Sequence, residues 1–233
     1  MPRYRPVVLA AACALALAAP ASAAYAATAH HAAKPVLTIG KKGGPAVKKR
    51  AVLKSGLAKG TSATFALGSF SATCKSSTLQ AKVTANPSSR GKATLSLTRA
   101  TVSKCTLKGA PPGVSLTGVK VLSLPYDVTI SPAKRFPVTI AGRSSAKPVS
   151  LRATIDASAL GAGTLTCVYT AKKVSGHASN TGNKVSVAKQ KFALDKAKSS
   201  STECEVASSV TFSATYGPIR DTSAKHSPKV FFN

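Results

Sequence analysis

The sequence predicts an all-β fold: an antiparallel β-sandwich, Ig-like or related, with two disulfides. Three observations predict it. From Val36 onward apolar residues recur with a period of two, Gly, Pro, Asn and Ser interrupt the runs at short intervals, and no segment carries the 3.6-residue spacing of a long amphipathic helix. Many short strands at regular turn spacing suit a sandwich or a barrel, and two packed sheets built from two hairpin-rich halves are the expectation.

The chain of 233 residues opens on an export signal. Arg3 and Arg5 precede an unbroken apolar run from Val7 to Ala19, Pro20 ends it, and Ala21-Ser22-Ala23 offers the small residues a signal peptidase needs. Cleavage after Ala23 or Ala26 is expected, which assigns 1–26 to the signal. The run is shorter than the roughly 20 residues of a membrane-spanning helix, and no later stretch is long enough. Tyr4 separates the two arginines, so the twin-arginine signature is missing and Sec-type export of an unfolded chain is expected. Cys13 lies inside the apolar run and is discarded with it. Residues 27–35 read as a flexible leader, and His30-His31 there lacks the further donor that a metal would need. The remainder, 36–233, is long enough to bury a core as one β-sandwich domain.

Within that domain Leu79, Ala81 and Val83 alternate with polar residues, Asn86-Pro87-Ser88-Ser89 makes a turn, and Ala93, Leu95 and Leu97 return. A long alternating set, Leu122, Leu124, Tyr126, Val128 and Ile130, ends at Ser131-Pro132, and Phe136, Val138 and Ile140 come back as the other arm of a hairpin. Val149 to Ile155, Leu165 to Ala171 and Val210 to Tyr216 repeat the pattern, with one face buried and one wet. Between Val187 and Phe192 the apolar phase moves from odd to even positions, which a one-residue bulge near Ala188 or Lys189 absorbs.

Four cysteines follow the signal: Cys74, Cys105, Cys167 and Cys204. Each of the first-of-pair residues sits in a Thr-Cys strand followed by an Asn-bearing turn and a second strand, a weak internal echo. Sequence alone leaves three connectivities open; sequential pairing is preferred because each bridge then clasps one hairpin-like unit. Zinc binding needs close pairs such as C-x-x-C, which are missing, so no metal is expected.

The mature chain is very basic. Lys and Arg number 33 against 6 Asp and Glu, a formal net charge of +27 at pH 7, which loss of Arg3 and Arg5 lowers by two. Most lysines therefore have no carboxylate to pair with, and the surface should attract polyanions. The densest cluster is Lys41, Lys42, Lys48, Lys49 and Arg50, continued by Lys54; with Gly43, Gly44 and Pro45 keeping the backbone open, it is the candidate polyanion dock. It holds no aromatic residue, so any nucleic-acid binding would be a charge effect without sequence preference. His177 and His226 stand in no recognisable nucleophile motif, Asp127 and Asp156 suit ion pairing, Glu203 and Glu205 flank Cys204, and Gly161-Ala162-Gly163 precedes a strand rather than a helix. No catalytic residue and no cofactor is expected.

Leu124-Pro-Tyr-Asp-Val-Thr-Ile-Ser131, the Thr-Cys strands, the stretch Val210 to Asp221 and the ending Val230-Phe-Phe-Asn233 together resemble a group of uncharacterised secreted β-rich proteins of actinobacteria. The resemblance implies structure and export; it carries over no active site. The function expected from the residues is that of a non-enzymatic secreted or envelope-associated protein, whose partners are anionic wall polymers or acidic lipid headgroups. A small-molecule or lipid carrier with its ligand between the sheets, and a hydrolase with an unrecognised site, are the alternatives.

Overall fold

Residues that alternate along the sequence line the inside and outside of one sheet wound on itself. The computed structural model describes residues 34–88 and 91–233; the expected signal and most of the expected leader lie outside the described residues. The strands are β1 (Leu37–Ile39), β2 (Val52–Gly56), β3 (Ala63–Leu67), β4 (Phe70–Ala85), β5 (Ala93–Lys108), β6 (Ser115–Leu122), β7 (Tyr126–Ile130) and β8 (Pro137–Ala141), followed by β9 (Val149–Asp156), β10 (Thr164–Ala171), β11 (Lys173–Ser179), β12 (Lys184–Leu194), β13 (Ser209–Tyr216), β14 (Arg220–Asp221) and β15 (Val230–Phe232).

The expected β-sandwich is not formed. The sheet closes into an eight-stranded antiparallel barrel with extra strands, because β13 returns to pair with β3, placing Phe212 opposite Phe65. Two packed sheets would leave open edges; closure pairs them. Sandwich and barrel share the same in-out alternation, so the pattern could not separate them. The deciding contact joins Thr64–Ala66 to Thr211–Ser213, segments too far apart for any local period to report.

Several staves of the barrel are long runs broken midway. Ser123-Leu124-Pro125 separates β6 from β7, Gly142–Pro148 separates β8 from β9, and Lys172 alone separates β10 from β11. The two halves of a run keep the same neighbours in space: β6 and β7 both lie along β5, while β10 and β11 both lie along β12. The break after β6 also changes phase, since Val119 and Val121 point inward before it and Tyr126 and Val128 after it. The Leu122–Ile130 run expected as one strand is therefore two. The bulge expected near Ala188 or Lys189 is present: the β12–β13 register shifts between Val187 and Gln190, with Lys189 at φ 48°.

At the break, Tyr126 replaces the interrupted ladder. Its buried hydroxyl accepts the Ser150 N–H at 2.8 Å and donates to the Leu122 carbonyl, so two backbone groups that the cut would orphan are satisfied inside the wall. Gly142 opens the other long break, and any side chain there would collide with the Lys147 carbonyl, 1.7 Å from where a Cβ would stand.

One end of the barrel is stoppered by β1 and β15, which pair antiparallel from opposite ends of the described chain. Val36, Leu37, Val47, Val230 and Phe232 are almost fully buried there. At the opposite end lie the β3–β4, β5–β6, β9–β10 and β12–β13 connections, with the two disulfides. Cys74 and Cys105 are directly opposed on β4 and β5, and Cys167 of β10 is joined to Cys204 in the short 3-10 turn Thr202–Ala207. The pairing is thus the sequential one. The segment around Ser199 takes over the outer edge of β10, where its hydroxyl accepts the Val168 N–H at 3.1 Å and the Ser200 hydroxyl accepts the Thr166 N–H at 2.9 Å.

Candidate functional site

The basic cluster of the sequence divides in three dimensions. Lys41 and Lys42 occupy the turn after β1, whose form is held by the Gly44 N–H on the Lys41 carbonyl at 3.0 Å. Lys48, Lys49 and Arg50 form the turn before β2, with Arg50 in the left-handed region at φ 72° and its N–H on the Val83 carbonyl. All five side chains are exposed at the stoppered end. Lys54 instead stands on the outer face of β2, directly opposite Arg220 on one side and Gln80 on the other.

Ion pairing is sparse. Three salt bridges occur among the described residues: Arg143 to Asp127 at 3.6 Å, Lys196 to Glu205 at 2.7 Å and Lys198 to Asp195 at 2.8 Å. Two of the other carboxylates of the described chain, Asp156 and Asp221, serve turns. Asp156 accepts the Ser158 hydroxyl at 2.6 Å and the Ser158 N–H at 3.0 Å, and those bonds hold its pKa below the usual carboxylate value. Asp221 is buried and accepts from the hydroxyl and N–H of Ser223.

The remaining chemical candidates are dispersed. His177 lies exposed on β11, where a turn was expected, and His226 lies exposed in a turn near the C-terminus; neither imidazole has a hydrogen-bond partner among the described residues. Asp127 and Asp156 belong to different strands, β7 and β9, and each is engaged as described above. Glu203 and Glu205 sit in the 3-10 turn with Cys204. Among the described residues no group of three or more His, Cys, Asp or Glu side chains is placed to hold a metal.

The barrel interior is apolar and nearly filled. Its larger voids measure about 90 Å³ each, one around Leu79, Leu97, Tyr126, Val174 and Phe192, the other toward the stopper around Leu53, Leu95, Val128 and Phe232. Two hydroxyl arrangements interrupt the apolar wall. Tyr126 bridges the β6–β7 break, and Tyr216 meets Ser77 at 2.9 Å while Ser77 donates to the Thr101 carbonyl at 2.7 Å. Since the serine proton is committed to that carbonyl, Tyr216 is the donor to Ser77. Burial pushes the phenols of Tyr126, Tyr169 and Tyr216 above their ordinary pKa; the Ser150 and Ser77 hydrogen bonds oppose that at Tyr126 and Tyr216 respectively.

No family model, curated protein or solved structure matches this chain. Arg99 and Arg220, which join Lys54 in space, were missed in the sequence because strand pairing alone brings them together. No local motif marks either one.

Proposed function

We propose that this is an exported, non-catalytic barrel that associates with anionic envelope or extracellular polymers through its basic outer surface. The observation that carries the reading is the mismatch, among the described residues, between 30 Lys and Arg side chains and three ion pairs. A surface of unpaired cations repels itself, and a polyanion relieves that repulsion while releasing its own counterions.

Export is supported by the amino-terminal signal pattern and by two disulfides, which persist in oxidising compartments. Among the described residues no helix is long and apolar enough to cross a membrane. The barrel turns Thr78, Gln80, Lys82 and Thr84 outward and Leu79, Ala81 and Val83 inward, the reverse of a bilayer-spanning barrel, whose outer band is apolar. The carrier reading is weakened by the lumen, since voids of about 90 Å³ fall short of the roughly 300 Å³ a drug-sized ligand needs.

The test is retention on heparin and on isolated cell-wall material. The expected result is tight binding at low salt and elution that moves steeply with ionic strength. Failure to bind either matrix at low salt, or retention indifferent to salt, overturns the reading.

A further inference from the structure

Six cations, five of them exposed and Arg152 half-buried, are placed by strand pairing into a row across the barrel's outer wall. Lys229 is bridged to Arg220, Arg220 is opposite Lys54, Lys54 is opposite Gln80, and Gln80 is opposite Arg99. Directly opposed residues of an antiparallel sheet point to the same face, so these side chains stand side by side. Two positions on from Arg99, Thr101 is opposite Lys120, which is itself opposite Arg152. With neighbouring strands about 4.8 Å apart, the six pairings carry the row roughly 29 Å around the wall.

The row has two features that a merely solvated face would not need. Arg220 against Lys54 and Lys120 against Arg152 are directly opposed like charges, an arrangement that costs stability. No carboxylate relieves it: Asp221, next to Arg220, points the other way and is buried, and Asp127, on the wall nearer the stopper, is held by Arg143. The middle of the row is also concave. Lys54, Arg99 and Arg220 line a groove of about 480 Å³, whose other polar walls are Ser55, Thr78, Gln80 and Thr222.

Building on the polyanion reading above, we infer that this groove and its extension to Lys120 and Arg152 form the binding track for one linear phosphodiester polymer with a polyol backbone. The guanidinium forks of Arg99 and Arg220 match phosphate oxygens two at a time, and Lys54 supplies a point charge between them. The hydroxyls and amide beside them suit the hydroxyls of a polyol. Among the described residues no aromatic side chain lines the groove, so a nucleic acid would find nothing there for its bases to stack on. The stoppered-end turns with Lys41, Lys48 and Lys49 carry equal charge without that groove.

The test compares binding of poly(glycerol phosphate) to the purified full chain with binding to three variants, each first checked for a cooperative thermal unfolding transition no lower than that of the unmodified chain. Lys54→Gln/Arg99→Gln/Arg220→Gln is expected to weaken binding about tenfold or more and to lower the log–log salt slope by about 2, roughly 0.7 per lost phosphate contact. Lys120→Gln/Arg152→Gln tests the extension, keeps the groove intact, and is expected to lower the slope by about 1.4. Lys41→Gln/Lys48→Gln/Lys49→Gln, which removes the same charge as the first variant, is expected to change binding far less. Equal losses in the two triple variants would overturn the track and leave a diffuse charge effect. Binding of heparin without binding of poly(glycerol phosphate) would also overturn it, as would equal affinity for a single-stranded oligonucleotide of matched charge; in each case the broader polyanion reading survives. Absence of salt-sensitive binding to every polyanion removes both.

Discussion

Leu37 and Phe232 face each other in the β1–β15 ladder, and each has its backbone N–H held by an asparagine side chain, Asn86 at 2.9 Å for Leu37 and Asn180 at 2.8 Å for Phe232. Each amide nitrogen also returns a bond, from Asn86 to the carbonyls of Leu37 and Val47 and from Asn180 to the carbonyl of Phe232. The two amides act as short extra strands on either edge of the stopper. Asn86→Ala should destabilise the protein by roughly 2 to 3 kcal/mol by leaving buried backbone groups unpaired. Asn180→Ala, with fewer bonds to lose, should cost less. Denaturant midpoints of the two variants check the order, with an unchanged m-value showing that the same unfolding is followed.

The buried phenols make the barrel sensitive to alkali. Burial raises the pKa of Tyr126, Tyr169 and Tyr216, so above about pH 10 the unfolded chain gives up protons that the folded chain keeps. Their contribution is fully present below that pH and is lost as pH rises through the folded-state values. Urea midpoints between pH 8 and pH 11.5 should fall, and Tyr216→Phe should flatten the fall. An identical pH dependence in wild type and variant would contradict it.

Tyr126→Phe should cost more than Tyr216→Phe at pH 7. Without its hydroxyl the Ser150 N–H and the Leu122 carbonyl both lose a partner, whereas Ser77 still donates to Thr101 when Tyr216 is truncated. An unsatisfied buried backbone group costs about 1 to 3 kcal/mol. Thermal unfolding of the two variants measures the difference, and amide exchange at Ser150 should accelerate in Tyr126→Phe alone.

The bridges should fail differently. Their sequence separations of 31 and 37 predict similar stabilisation, about 3 to 4 kcal/mol each in the chain-entropy treatment. Cys74 and Cys105 join strands already paired along most of their length, while Cys204 anchors a segment that covers the edge of β10 through few bonds. Cys167→Ser/Cys204→Ser should therefore release residues 196–207 to rapid hydrogen exchange at conditions where the barrel stays folded. Cys74→Ser/Cys105→Ser should lower global stability without such a local opening.

Strand content was legible because alternation is a local property. Leu79, Ala81 and Val83 face inward as their spacing implies, and the phase slip between Val187 and Phe192 correctly signalled a bulge. Closure was not legible, because the Phe65–Phe212 contact, with ring centroids 4.9 Å apart, depends on a pairing between remote segments. The break at Leu124 was hidden by coincidence: Leu122 and Leu124 share the even phase of Tyr126 and read as a continuation of β7. At the candidate site, Lys54 stood out through nearby lysines, but its partners Arg99 and Arg220 are isolated cations in sequence and become neighbours only through the β14–β2–β4–β5 order.

The stopper has a bearing on biogenesis. Its two strands are Leu37–Ile39 and Val230–Phe232, and the seam of the wall joins β3 to β13, so on a nascent chain the seam must wait for Thr211–Ser213 and the stopper for Val230–Phe232. Pairings between such remote segments also form slowly. A polypeptide built this way stays threadable until those late segments are made, and on the export proposed above it should complete its shape where they and an oxidant meet in one compartment.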